Sequence, residues 1–225
     1  MSKHLHRDLD RLKRDILTMG AMVEEAINKS IRALTSREVG LAEEVLEGDG
    51  EIDRKEVDIE EDCLKILALH QPVAVDLRFI VTVMKVNNDL ERMGDLATNI
   101  AERAVYLASH PPMAVPLDFG LMAERVRSMV RDSLDALVRQ DQELARKVLQ
   151  ADDEVDAINR SMFTLLQRAI KEDVSTVKRA IHTLSASRYL ERIADHATNI
   201  AEDVVFMVDG EIIRHHFENF REQEE

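Results

Sequence analysis

Four pairs of carboxylate side chains, each spaced four residues apart, occupy related places in the two halves of this chain. The pairs are Asp49 with Asp53, Glu91 with Asp95, Asp152 with Asp156, and Glu191 with Asp195. On a helix, residues at this spacing share one face, and two like charges there destabilise the helix slightly. Carboxylate oxygens are also the hard ligands that Mg²⁺, Ca²⁺, Mn²⁺ and iron accept. The pattern indicates either metal sites or a solvated acidic face, and the spacing alone does not decide between them.

The acidic pairs lie at mirror-image distances from two points in the chain. Asp53 and Glu91 are equally far from Pro72, and so are Asp49 and Asp95. In the second half, the corresponding pairs of acids share a midpoint beside Asp173. If the chain folds back there as antiparallel helices, the acids become level with each other. At 1.5 Å per residue, Asp53 and Glu91 would meet roughly 28 Å from the turn. Each hairpin would then bring four carboxylates together.

Long helices are the elements that must position these acids. Helical periodicity runs through most of the chain, and 7 Gly with 4 Pro provide too few turns for a β-sandwich or barrel. Six helices are predicted, over about residues 5–34, from the turn at 35–38 to 69, and over 75–110, 119–139, 142–171 and 174–209.

Local signals mark where several of these helices begin. Thr35 and Glu38 form a capping-box pattern that would start helix two. Helix four should begin after Asp118, and Asp141 and Asp173 are candidate N-caps for helices five and six. Gly48-Asp-Gly50 would allow a break in helix two, because each Gly costs about 1 kcal/mol relative to Ala.

The two halves of the chain are copies of one unit. Residues 90–102 read LERMGDLATNIAE and residues 190–202 read LERIADHATNIAE, identical at ten of thirteen positions. Upstream, residues 42–46 and 51–53 match residues 145–149 and 154–156 at an offset of 103. The sequence therefore predicts an all-α protein of two tandem, pseudo-symmetric three-helix bundles, with six long antiparallel helices. The predicted units are residues 1–110, a Pro-rich linker at 111–116, residues 117–210, and a C-terminal tail at 211–225.

Helical phase predicts which way the acids of helices three and six face. Leu90, Met93 and Ile100 form an apolar stripe that lies nearly opposite the acids, so the acids should be on the outside. The same outward stripe carries possible neighbours of a metal, namely Asn99, Glu102, Asn199 and Glu202. One difference between the copies is His196, which replaces Leu96 and falls off the acidic stripe.

Composition narrows the functional classes. The formal charge of −14 repels phosphate backbones, which argues against nucleic-acid binding. Cys63 is the only cysteine, so there is no disulfide framework and no cysteine-based metal motif. Neither a signal peptide nor a bilayer-spanning segment is evident, so we expect a cytoplasmic protein without membrane insertion.

The doubled motif resembles the PhoU family of phosphate-uptake regulators. The resemblance rests on ERMGDLATNIAE at 91–102 and its copy at 191–202, on DGEID at 49–53, and on the turn LHQPVA at 69–74. It implies two three-helix bundles with helix two continuous through the glycines. It also implies metal clusters, of iron, zinc or manganese, on acid-x-x-x-Asp motifs. Carried onto this chain, the metal-binding residues are Asp49, Asp53, Glu91, Asp95, Asp152, Asp156, Glu191 and Asp195, with Asn99 and Asn199 as neighbours.

The same resemblance implies a function. Members of the family restrain phosphate uptake and the phosphate-starvation response. Their usual partners are the ATPase subunit of the phosphate ABC transporter and a membrane sensor histidine kinase, and homodimers are common. This chain is therefore expected to be a metal-binding adaptor and not an enzyme.

Two alternatives remain open from the residues. The first is a metal-free helical scaffold whose acids only keep the surface soluble. The second is a carboxylate-bridged di-metal enzyme, which is disfavoured because such sites use Glu-x-x-His inside a four-helix core, and this chain has no Glu-x-x-His. No phosphate-binding loop or nucleophile motif is present, so direct phosphate sensing is not supported.

Overall fold

A computed structural model describes residues 3–210, and this part of the chain is helical with no strand. The helices are α1 (Lys3–Ser36), α2 (Val39–His70), α3 (Ala74–Ala108), α4 (Phe119–Arg139), α5 (Gln142–Glu172) and α6 (Val177–Asp209), with a 3₁₀ turn at Val174–Thr176 before α6. The all-α prediction is confirmed. The predicted tail at 211–225 lies outside the described residues. Within residues 3–210, every helix lacks the long apolar stretch that crossing a bilayer would require.

The ends of the helices follow the predicted caps in some places and not in others. Asp118 and Asp141 are N-caps of α4 and α5, accepting hydrogen bonds from the backbone N–H of Leu121 at 3.1 Å and of Leu144 at 3.0 Å. Asp173 caps the 3₁₀ turn through the N–H of Ser175, so α6 begins three residues later than predicted.

The predicted capping box between α1 and α2 is wrong. Thr35 and Ser36 belong to α1, where their hydroxyls donate to the carbonyls of Ile31 and Arg32 one turn back. A hydroxyl used in this way is not available to cap the next helix. Arg37 instead makes the turn with a left-handed φ of 64°, and Glu38 is an N-cap without a side-chain hydrogen bond.

Helix α2 is continuous through Gly48 and Gly50, as the resemblance implied. Its buried stripe extends on both sides of the glycines, with Val45 before them and Ile52 and Ile59 after them. Burying these side chains offsets the low helix propensity of the two glycines, because tertiary packing dominates helix stability in proteins.

The two repeats share one core. Helices α1, α3, α4 and α6 contact one another around a central bundle, while α2 packs only on α1 and α3, and α5 packs on α4 and α6. The most extensive helix–helix contact is between α3 and α6, which run antiparallel: Arg78 at the start of α3 donates to the carbonyl of Met207, and Asp89 meets His196 further along. One hydrophobic cluster includes side chains from all six helices.

Candidate metal-binding site

The α2–α3 hairpin brings the first four acids into one neighbourhood. The hydroxyl of Thr98 on α3 donates to Asp49 Oδ1 on α2 at 3.0 Å, which aligns the two helices at the acidic motifs. Gly94 lies between the acids on α3, and a Cβ placed there would be 3.3 Å from the side chain of Ile52. The absence of a side chain at Gly94 therefore lets α2 approach α3 closely at this level. The hairpin predicted from the mirror-image spacing forms as expected.

The pKa values in the first cluster show that its four acids interact. Burial raises the pKa of Glu91, and the charges of Asp95 and Asp53 raise it further, while Arg92 lowers it. Burial also raises the pKa of Asp49. The hydrogen bond from Thr98 lowers this pKa, and the charges of Asp53 and Asp95 raise it. The carboxylates therefore repel one another, and a cation among them would relieve the repulsion.

Arg92 partly supplies that positive charge. Its Nε is 3.3 Å from Glu91 Oε2 and its Nη1 is 3.2 Å from Asp95 Oδ2, so it bridges the two acids of α3. Glu91 Oε2 is nevertheless buried without a hydrogen-bond partner. A buried acceptor left in this state is costly and marks a place where a donor or a cation fits.

The α5–α6 hairpin repeats the arrangement with a deeper acid. Burial raises the pKa of Asp152 to about 6, and the charges of Asp195 and Asp156 act in the same direction. Glu191 is only 7% exposed, and one of its oxygens accepts from Arg188 Nη1 at 2.7 Å. The other oxygen, Glu191 Oε2, and Asp152 Oδ1 are both buried without a hydrogen-bond partner.

The expectation that these acids lie on the outside is only partly right. Asp53 and Asp195 are exposed, Asp49, Glu91, Asp95, Asp152 and Asp156 are half-buried, and Glu191 is buried. Helical phase placed Glu191 opposite the α6 core stripe, but that face of α6 is covered by α5. A single-helix wheel does not register the second neighbour of a helix that packs on two sides.

The predicted neighbours of a metal are used in other ways. Asn99 donates to the backbone carbonyl of Asp95 at 2.9 Å, and Glu102 pairs with Arg103 at 2.6 Å. Asn199 donates to Asp89 Oδ1 at 3.2 Å, and Glu202 is half-buried on the same helix.

His196 also turns to Asp89, with its Nδ1 2.8 Å from Asp89 Oδ1. Asp89 and His196 therefore form a buried polar contact between α3 and α6 instead of extending the acidic cluster. Sequence reasoning missed Asp89, and it also missed Arg92 and Arg188. The arginines had a signal, since each lies within four residues of an acid on the same helix.

The residues present suit a metal in chemistry, although their side chains do not yet enclose one. Across residues 3–210, no three His, Cys, Asp or Glu side chains stand close enough to hold a metal ion as they are. The clusters are nevertheless built from hard oxygen donors, and three of these oxygens, on Glu91, Asp152 and Glu191, are buried without hydrogen bonds. A metal would have to displace the arginines from the carboxylates.

Comparison with known proteins finds one family. The PhoU domain matches residues 16–104 and again residues 119–204, so the two matches begin 103 residues apart and end 100 residues apart, as the internal repeat does. A phosphate-specific transport system accessory protein PhoU homolog from Aquifex aeolicus is 43% identical over 211 residues, covering 94% of this chain and 96% of that protein.

Solved structures agree with this match. The crystal structure of PhoU from Pseudomonas aeruginosa superposes with a TM-score of 0.89 at 37% identity, covering 92% of this chain and 99% of that one. The phosphate transport system regulatory protein PhoU from Streptococcus pneumoniae has a TM-score of 0.86 at 29% identity, covering 92% and 98%. The resemblance in sequence and the resemblance in fold therefore extend over nearly the same residues.

Proposed function

This chain belongs to the PhoU domain family, and we propose that it is an accessory protein that restrains phosphate uptake and the phosphate-starvation response. Its relatives from Aquifex aeolicus and Pseudomonas putida, at 43% and 39% identity, are both named as phosphate-specific transport system accessory proteins. Each match covers at least 94% of this chain, so the relation extends to the whole architecture. The observation that carries the proposal is the carboxylate hairpin, present twice.

The eight predicted acids would hold the metal. Asp49, Asp53, Glu91 and Asp95 would bind it in the first repeat, and Asp152, Asp156, Glu191 and Asp195 in the second. When bound, iron, zinc or manganese would supply a positive charge that fixes α2 to α3 and α5 to α6. The raised pKa values of Asp49, Glu91, Asp152, Glu191 and Asp195 support this proposal, because each carboxylate loses stability as a bare anion in its present setting.

The protein would act as an adaptor and not as an enzyme. Its partners would be the ATPase subunit of the phosphate ABC transporter and the sensor histidine kinase of the phosphate regulon, and its place of action would be the cytoplasm. A homodimer is the proposed assembly. The large negative charge supports docking onto basic surfaces of partner proteins.

One observation favours a metal-free scaffold as the second candidate. Arg92 bridges Glu91 and Asp95, and Arg188 and Arg160 pair with Glu191 and Asp156, so each cluster already contains internal cations. In that reading the arginines partly neutralise the acids of their own helices, and no metal is required.

Paired substitutions and elemental analysis distinguish the two candidates. Glu91→Gln with Asp95→Asn removes two charges from the first cluster, and Asp58→Asn with Glu60→Gln removes two from exposed positions of α2 outside it. If the protein is a metal-binding adaptor, the first pair of substitutions should lower its metal content. The same pair should also switch on the phosphate-starvation genes in phosphate-replete cells, and the second pair should do neither. Protein purified without tag or chelator that contains no iron, zinc or manganese, and takes up none, would leave the scaffold as the explanation.

A further inference from the structure

A cleft of about 500 Å³ lies between α1 and α2, next to the first acidic cluster. Its floor is apolar and is formed by Met22 and Ala26 of α1 with Val45 and Ile52 of α2. Its charged lining consists of Glu25, Lys29, Glu44, Glu47, Asp49 and Glu51. We call this surface the α1–α2 groove. Five of these six charged residues are acidic, so the rim is strongly negative.

Gly48 lines the groove. A Cβ built at Gly48 would have no atom within 4 Å, so the protein leaves open space beside this part of the α2 backbone. The glycine therefore exposes the backbone of α2 between the acids of the rim. Gly48 weakens the helix by about 1 kcal/mol relative to Ala. Close approach of a partner to the exposed backbone of α2 would account for a glycine at this position.

Part of the negative charge on the rim has no ion-pair partner among residues 3–210. Lys29 Nζ is 2.8 Å from Glu25 and 3.0 Å from Glu44, so it neutralises the α1 side of the groove. No basic residue among 3–210 forms an ion pair with Glu47 or Glu51. These two carboxylates are one helical turn apart and form the side of the groove that has no internal cation.

The second repeat shows how such a carboxylate can be satisfied. At the offset of 103, Met22 corresponds to Arg125 and Glu51 corresponds to Glu154. Arg125 Nε on α4 lies 2.8 Å from Glu154 Oε2 on α5, so an arginine crosses between the two helices. The register is secure, because Arg37 and Gln140, also 103 apart, have matching left-handed φ angles of 64° and 54°.

Other differences between the repeats act in the same direction. Gly48 corresponds to Ala151, and Glu44 and Glu47 correspond to Lys147 and Gln150. The first repeat therefore has an open, acidic groove at the place where the second repeat has an added methyl group and basic side chains. At the positions that line the groove, the formal charge is −4 in the first repeat and −1 in the second, where Arg125 and Lys147 replace Met22 and Glu44 and Asp132 replaces Lys29. The duplicated unit has therefore become two surfaces of unequal negative charge.

We propose that the α1–α2 groove binds a basic amphipathic helix of a protein partner. An Arg or Lys of that helix would contact Glu47 and Glu51 as Arg125 contacts Glu154 within the second repeat, and its apolar face would lie on Met22 and Val45. Two long antiparallel helices form a straight groove, which is the surface that helix-in-groove recognition uses. The acidic rim excludes phosphate-rich partners such as nucleic acids. This inference rests on the proposed adaptor function and adds the type of segment that the adaptor binds.

A labelled synthetic peptide tests the groove directly. The probe is an 18-residue amidated helix with leucine on one face and arginine on the other, measured by fluorescence anisotropy against the full chain in chelator, so that metal has no part. Gly48→Leu should weaken binding by about tenfold or more, because it fills the groove. Gly120→Leu is the matched control, since its Cβ also meets no atom within 4 Å but lies outside the groove.

A second variant copies the solution found in the second repeat. Met22→Arg places an arginine where it can pair with Glu51, so it should also weaken the peptide by about tenfold through competition and repulsion. Circular dichroism and a melting curve establish that each variant is folded. The proposal is overturned if Gly48→Leu and Met22→Arg bind the peptide like the parent chain, or if Gly120→Leu and Asp58→Asn weaken binding equally, which would mean unspecific attraction to an acidic protein.

The result is separable from the test of the proposed function. Suppose that the peptide shows no specific binding to the groove, while Glu91→Gln with Asp95→Asn still switches on the phosphate-starvation genes in cells. The groove proposal would then be rejected and the proposed adaptor function would stand. If that pair of substitutions leaves the expression of phosphate-starvation genes unchanged and the peptide still binds specifically, the metal cluster is rejected as the functional element. The groove proposal would then stand.

Discussion

Replacing Asp152 with asparagine tests whether the acidic hairpins are destabilising in the absence of metal. The carboxyl of Asp152 has its pKa raised from 3.8 to about 6, first by burial and then by the charges of Asp195 and Asp156. A folded pKa above the unfolded one means that the folded state binds the proton more tightly. The contribution of Asp152 to stability is therefore most favourable at low pH, and it is lost as pH rises through the interval from about 4 to about 6.

The size of the effect follows from the shift. At 1.36 kcal/mol per unit, the charged form of Asp152 costs the folded protein about 2–3 kcal/mol at pH 7.5. Asp152→Asn keeps the shape of the side chain and removes the charge, so we expect it to raise the free energy of unfolding by about 2 kcal/mol at that pH. At pH 5 part of the parent protein is already protonated, and the gain should be smaller by about 1 kcal/mol.

Urea unfolding followed by far-ultraviolet circular dichroism, in chelator at pH 7.5 and pH 5, measures both values. Asp58→Asn, which removes one charge from an exposed position of α2, is the control and should change stability little at either pH. If Asp152→Asn does not raise the free energy of unfolding, or raises it equally at both pH values, Asp152 is not held in an unfavourable charged state. The argument for a cation at this place would then fail.

Adding metal should make the parent chain more stable than Asp152→Asn, which is the reverse of their order in chelator. A ligand that binds only the folded state stabilises it by RT ln(1 + [L]/Kd), which is about 2.7 kcal/mol at a hundredfold excess over Kd. The parent chain should gain stability when Mn²⁺, Zn²⁺ or iron is added, and Asp152→Asn should gain much less. Equal gains would place the metal elsewhere.

Three further predictions concern packing and burial. Gly94→Val should lower the unfolding free energy by about 1–3 kcal/mol in urea titrations, because its side chain would collide with Ile52, whereas a value within error of the parent would show that α2 can move aside. Lys85→Met should cost about 1–2 kcal/mol by thermal unfolding, because it removes the ammonium group 2.8 Å from the buried carboxylate of Asp203; Lys85 is itself 40% exposed, so the loss is smaller than for a fully buried pair. Cys63 is buried, and burial raises the pKa of its thiol to about 12, so Ellman's reagent should label it only at the rate of unfolding; rapid labelling of the native protein would contradict its placement.

The sequence was sufficient to predict the hairpins because their information is local and repeated. Mirror-image spacing about Pro72 depends only on the rise of a helix and on a sharp turn, and α2 and α3 then have little freedom in register. Asp118 and Asp141 were predictable as caps for the same reason, since each acts within three residues of its own position. Local chemistry misled where two local options competed, as at Thr35, whose hydroxyl donates to a carbonyl of α1 and does not cap α2.

The depth of the acids could not be predicted in this way. Whether Glu191 is buried depends on how α5 covers α6, and no periodicity within α6 reports that. The contact of Asp89 with His196 and Asn199 is more remote still, because it joins residues more than 100 positions apart across the two repeats. The sequence did contain a hint, since His196 departs from its counterpart Leu96, but nothing in the motif identified Asp89 as the partner.

Comparing the two repeats position by position gives information that neither repeat gives alone. Positions with the same physical task in both halves stay the same, as with Ser30 and Ser133, which are both buried and donate to the carbonyl three residues back. Where the charge changes instead, the two surfaces no longer do the same work. Arg125 pairs with Glu154 and would compete with an arginine or lysine of a basic segment for that carboxylate, so we expect the second repeat to attract such a segment less than the first. A protein with two equal acidic grooves would bind one basic helix at either end, in two orientations. If the proposed groove binds a partner helix, the divergence at Met22, Gly48 and their counterparts would leave one such groove and would fix a single orientation for the partner.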